Sequence, residues 1–132
     1  MYCKDCVKKL YYFLIMPDAK KAADYARNNA NKKSVGYCAR YVANALQNAG
    51  FAFTRQPSAY MYHTNGILTN MGFKSIQGGS PQKGDVYVEE ATSTHPDGHI
   101  AIYDGNNWVS DFIQNSDHVH RTGGGTNHYY RY

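Results

Sequence analysis

Apolar positions along the chain change period near its middle. Ala19, Ala22, Ala23, Ala26 and Ala30 recur at three- and four-residue steps, the spacing of one helix face. Pro17 can open that helix as its first residue. Asp18 then sits in the first turn, where the helix dipole favours an acid. The small side chains of this face predict close packing against another element. A second run, Cys38, Ala39, Val42, Ala45, Leu46 and Ala49, keeps the helical spacing. Ser34 is placed to cap it and Gly50 to end it as the glycine after the C-cap. Asn65 to Met71 predicts a short third helix closed by Gly72. The aromatic stretch from Phe51 to Tyr62 reads as loop.

Beyond Gly78-Gly79-Ser80-Pro81 the pattern is that of strands. Asp85 to Glu90, Gly98 to Tyr103 and Asn107 to Ile113 are the candidates, with Asp104-Gly105-Asn106 joining the last two as a hairpin. Gly123-Gly124-Gly125 breaks the pattern, and His128 to Tyr132 can add a final strand. Helices first and consecutive strands afterwards imply an α+β fold, with N-terminal helices packed on an antiparallel sheet. A length of 132 residues suits one domain, 1–132, with one core. Residues 1–16 read as an N-terminal extension and 114–132 as a C-terminal segment.

Composition narrows the class only a little. Charged residues are 18% of the chain and aliphatic and aromatic ones 42%, which argues against disorder over most of its length. The net charge of +4 suits a polyanionic environment without choosing one. Tyrosine is abundant, with 13 copies beside one Trp. Its apolar body and polar tip fit a wet groove as well as a core. The apolar run Leu10 to Met16 is far shorter than the roughly 20 residues of a membrane span. It also lacks the flanks of a signal peptide and reads as a core-packing segment. Cys3 and Cys6 make a lone C-x-x-C. No second pair exists to complete a zinc site, and the odd count of three cysteines argues against a disulfide framework.

Cys38 stands apart. On the predicted helix it is the fourth residue, in the first turn, where the dipole and unpaired N–H groups favour a thiolate and an oxyanion. A cysteine buried on the apolar face satisfies the same pattern. A base is the second requirement, and His99 opens the strand Gly98-His99-Ile100-Ala101-Ile102-Tyr103. Alternation puts His99, Ala101 and Tyr103 on one face and Ile100 and Ile102 on the other. If the hairpin loop is Asp104-Gly105-Asn106, Tyr103 pairs with Asn107 and His99 lies opposite Asp111. Asp111 then orients the imidazole. A one-residue shift in register would undo this.

Three segments now form an ordered set: Ser34-Val35-Gly36-Tyr37-Cys38-Ala39-Arg40-Tyr41-Val42, Gly84-Asp85-Val86-Tyr87-Val88 and Gly98-His99-Ile100-Ala101-Ile102-Tyr103-Asp104-Gly105. In content and order they resemble CHAP amidases and NlpC-type cell-wall peptidases, over about residues 22–113. The resemblance implies a papain-like fold with Cys38 as nucleophile, His99 as base and Asp111 as third member. Family members often carry His, Asn or Glu in the third place. The implied activity is hydrolysis of amide bonds in peptidoglycan peptides through a thioester, by a phage lysin or a secreted antibacterial effector. An effector implies an immunity protein as partner. It also implies synthesis in the cytoplasm without a clear signal peptide, then action in the periplasm or on the cell wall after delivery.

The same site fits a papain-like toxin protease or acyltransferase acting on a protein, and a non-catalytic Tyr-rich binding module remains open. No nucleic-acid motif, phosphate loop or membrane span is read, the chain is taken as a monomer, and neither cofactor nor metal is assigned. His118, His120 and His128, with Asp117 beside them, have no specific ligand spacing. Arg40, Lys32 and Lys33 fit an acidic substrate or a solvated surface. Tyr37 fits a groove wall or packing, and Asp97 fits a turn.

Overall fold

The computed structural model describes residues 16–132. Cys3, Cys6 and most of the run Leu10 to Met16 lie outside the described residues.

Helix α1, Ala19–Asn29, begins two residues later than the sequence predicts. Asp18 is its N-cap: Oδ1 accepts from the Lys20 and Lys21 N–H groups at 2.9 and 3.3 Å. A short acidic side chain satisfies orphan donors better just outside the first turn than within it. Helix α2, Cys38–Asn48, starts at Cys38 itself, with Tyr37 as N-cap and no capping side chain. Ser34 is therefore not the cap, and Cys38 is the first helical residue rather than the fourth. Gly50 follows the C-cap Ala49 with φ +96°, as a glycine there should. Two single-turn helices follow, α3 (Met61–Thr64) and α4 (Ile67–Asn70). The first falls partly in the stretch read as loop, and the second sits inside the predicted third helix.

Five strands form one sheet: β1 (Lys74–Ile76), β2 (Val86–Glu89), β3 (His99–Tyr103), β4 (Trp108–Val109) and β5 (Asn127–Arg131). Their order is β1-β5-β2-β3-β4, and every pairing is antiparallel. The α+β architecture read from the sequence is the one observed. Val86, Val88, Ile100, Ile102 and Tyr130 face the helices and pack with Ala22, Ala26, Val42 and Leu46. The alanines of α1 let it lie close against α2, as their size predicts. Tyr87 and Ala101, with Trp108, Tyr103 and Tyr129, make a second cluster on the opposite face.

The predicted hairpin register is wrong by one residue. Tyr103 pairs with Trp108 and Ile102 with Val109. Asp104 causes the shift: its Oδ1 accepts from the N–H groups of Asn106 and Asn107 at 2.8 and 2.6 Å, which draws Asn107 into the turn. The strand expected over 107–113 also stops at Val109. Ser110 N–H donates to Phe112 O and Gln114 N–H to Trp108 O, so the chain reverses tightly and returns beside β4.

Candidate active site

The short β4 leaves one edge of β3 open near its start, and α2 fills the gap with its N-terminus. Cys38 is partly buried there, the free cysteine among the described residues. The backbone N–H groups of Ile100 and of Ala39, in the first helical turn, hydrogen-bond to its sulfur. The thiol therefore lies against the strand that carries His99, one residue away from it. Burial pushes the Cys38 thiol up to about 11; the Ile100 and Ala39 donors pull it down, and Asp111 and Asp97 add to the rise. The helix terminus expected to favour the thiolate is present, but desolvation outweighs it.

His99 is 7% exposed, on the face of β3 that alternation predicts. Its Nε2 lies 2.8 Å from Gln114 Oε1. The amide of Gln114 cannot be turned the other way. Its Nε2 donates to Tyr87 Oη at 2.9 Å and to the Ser116 carbonyl at 2.9 Å, and a carbonyl only accepts. Gln114 thus presents an acceptor, His99 carries its proton on Nε2, and Nδ1 keeps a free lone pair. Burial lowers the His99 pKa, against an opposing pull from Gln114 and Glu89. His120 approaches edge-on, ring centroid 6.1 Å from that of His99, with its Nδ1 2.7 Å from Glu89 Oε1.

Asp111 is fully buried, yet its hydrogen bonds do not go to His99. The chain reversal after β4 turns its carboxylate to the loop before α2. Oδ2 accepts from Ser34 Oγ at 3.0 Å and from the N–H groups of Val35, Gly36 and Tyr37 at 2.6, 3.0 and 3.4 Å. Burial alone would raise its pKa, but the Val35, Ser34 and Tyr37 donors more than offset this and hold it below the usual carboxylate range. Neither Asp111 nor Ser34 has the hydrogen-bond partner that the sequence predicts; together they fix the loop that delivers Cys38.

Cys38 lines an open groove of about 450 Å³ with Tyr37, Arg40, Arg55, Ser58, Asp97 and others. Arg40 stacks on the Tyr37 ring, 4.3 Å from its centroid. Asp97 accepts from Ser58 Oγ at 2.8 Å and so ties the loop before His99 to the opposite wall. His99 is not part of the lining. Asp85, of the Gly-Asp motif, is buried and held by Arg131 through two bonds of 2.8 Å. The histidines weighed as a metal cluster separate: His118 pairs with Asp117, His120 with Glu89 and His128 with Glu90.

The sequence matches no protein-family model and no curated protein. Solved structures do match. The type VI native effector–immunity complex Tae3–Tai3 from Ralstonia pickettii holds a chain 38% identical, covering 87% of this chain and 98% of that one, with a TM-score of 0.73. The selenomethionine form of that effector–immunity complex gives 39% identity, 84% and 99% coverage and a TM-score of 0.76. At this identity and coverage the likeness extends through nearly the whole of the compared chain.

Proposed function

The chain belongs to the Tae3 family of type VI effectors, and from that premise we propose that it is an antibacterial cysteine hydrolase cleaving amide bonds in peptidoglycan peptides. The observation that carries the reading is the placement of Cys38: first residue of α2, its sulfur against the Ile100 N–H, beside a His99 whose tautomer Gln114 fixes. The raised thiol and lowered imidazole pKa values favour a neutral resting pair. The thiol proton passes to His99 Nδ1 as Cys38 Sγ attacks the scissile carbonyl carbon. Unpaired N–H groups in the first turn of α2 stabilise the oxyanion. Collapse returns the carbonyl, breaks the C–N bond and moves the proton from His99 to the leaving amine. A water then attacks the thioester carbon, giving its proton to His99. The acid leaves and the thiol is restored. Gln114 is the third member of this set, and Asp111 positions the nucleophile loop.

The related complexes support a dedicated immunity protein as partner, and a peptidoglycan substrate supports action in the periplasm after delivery. The test is incubation with purified sacculi followed by mass spectrometry of the released muropeptides. New amine termini are expected from the native chain. Cys38→Ala should lose at least about a thousandfold in rate with its circular dichroism unchanged. Intact sacculi after incubation, or activity retained in Cys38→Ala, would refute the proposal.

A further inference from the structure

We propose that His63, Glu90 and His128 form a binding site for a divalent transition metal, with zinc best suited to the donor set. None of the three lines the groove at Cys38. Their donor atoms all lie within 4.8 Å of one another. A zinc ion about 2.0–2.2 Å from each ligand holds donors up to about 4 Å apart, so binding must tilt the two imidazoles out of their parallel stack until both lone pairs meet at the ion. Each ligand comes from a separate, anchored place. His63 is on α3 and His128 on β5, where it pairs with Val88 of β2. Glu90 follows β2, with its N–H on Thr126 O at 2.9 Å.

The histidine rings stack face to face, centroids 3.7 Å apart and 10° from parallel. His128 Nε2 lies 2.6 Å from Glu90 Oε1. His63 Nδ1 is engaged by the Tyr130 hydroxyl, and with Nδ1–H as the donor the ring offers Nε2 as its lone pair. Tyr130 is 4% exposed, so this outer partner is firmly held, as the second nitrogen of a metal-bound imidazole usually is. Two imidazoles and one carboxylate suit zinc, with a fourth place for water. Solvent reaches it, because the side chains of His128 and Glu90 are 30% and 47% exposed. The metal would join α3 to β2 and β5. It would also hold the groove wall from Arg55 to Ala59, which leads into α3, against the sheet.

The test is zinc uptake by the full chain after treatment with chelator and dialysis, read by calorimetry and by thermal melting. One zinc per chain and a raised melting temperature are expected. His63→Ala and His128→Ala should each weaken binding at least about tenfold, and Tyr130→Phe by a similar factor. Glu90→Gln, at an exposed position, gives the same readout should a histidine variant fail to fold. The double variant Cys3→Ser/Cys6→Ser should bind zinc as the native chain does. Absence of uptake, affinity unchanged by His63→Ala, His128→Ala and Glu90→Gln, or zinc lost with the cysteine pair would each overturn the site.

Discussion

Gln114 and Cys38 show what single side chains decide. The Gln114 amide is the only group bridging His99, Tyr87 and Ser116 in the buried face behind the thiol, among the described residues. Gln114→Leu keeps much of its volume and strands the Tyr87 hydroxyl and the His99 Nε2–H. The expected cost is about 1–3 kcal/mol of stability in chemical denaturation, with a fall in kcat against sacculi that exceeds any change in KM. Cys38 carries a second expectation. Its thiol is pushed up to about 11, so alkylation by iodoacetamide should stay slow at neutral pH and climb steeply only above about pH 9. A plateau already reached at pH 7 would mean a resting thiolate–imidazolium pair. Sequence made Cys38 and His99 legible because each sits beside its own motif. Gln114 was not legible. It reaches His99 only through the reversal at Ser110 to Phe112, and nothing in the local pattern announces that turn.

At the level of elements, tight approaches set the geometry. Gly98, just before β3, has φ +65°, and a Cβ there would lie 2.2 Å from Glu89 O and 3.0 Å from Tyr60 Cβ. Gly98→Ala must therefore push β3 from β2 at the residue before His99. Destabilisation above about 2 kcal/mol is expected, with activity falling further than the population of folded protein does. The loop before α2 depends in the same way on Asp111. Asp111→Asn keeps the shape but replaces half of an acceptor-only group with a donor facing backbone N–H groups. It should lower the melting temperature and raise KM through a displaced Tyr37 and Cys38. Strands β2, β3 and β5 and the two long helices are readable from period alone. The failures, α3 and β1, are four and three residues long, too short to show a period and held by the contacts around them.

For the whole molecule, two buried groups tie stability to pH. Asp111 has a lowered pKa when folded, so the stability it adds is present above its unfolded value near 3.9 and is lost as pH falls through the folded value. His99 is buried neutral with its pKa also lowered. Its unfolded form binds a proton first, so stability drops as pH falls from about 6.5 toward the folded value. Denaturant midpoints measured from pH 8 to pH 3 should decline in two stages, the first missing in His99→Gln and the second in Asp111→Asn. A flat profile through pH 5 would mean that His99 is solvated in the folded chain.

The strand order carries a consequence for synthesis. β1 and β2 follow one another in sequence, yet β5 lies between them and pairs with both. Arg131 on that strand also neutralises the buried Asp85 just before β2. A chain still on the ribosome can build its helices and the β2–β3–β4 hairpins, but it has an open seam and an unpaired buried acid until residue 131 has emerged. Folding is therefore completed after translation of β5 rather than during it. The sheet that backs the cysteine site therefore takes its finished form only once β5 is inserted between β1 and β2.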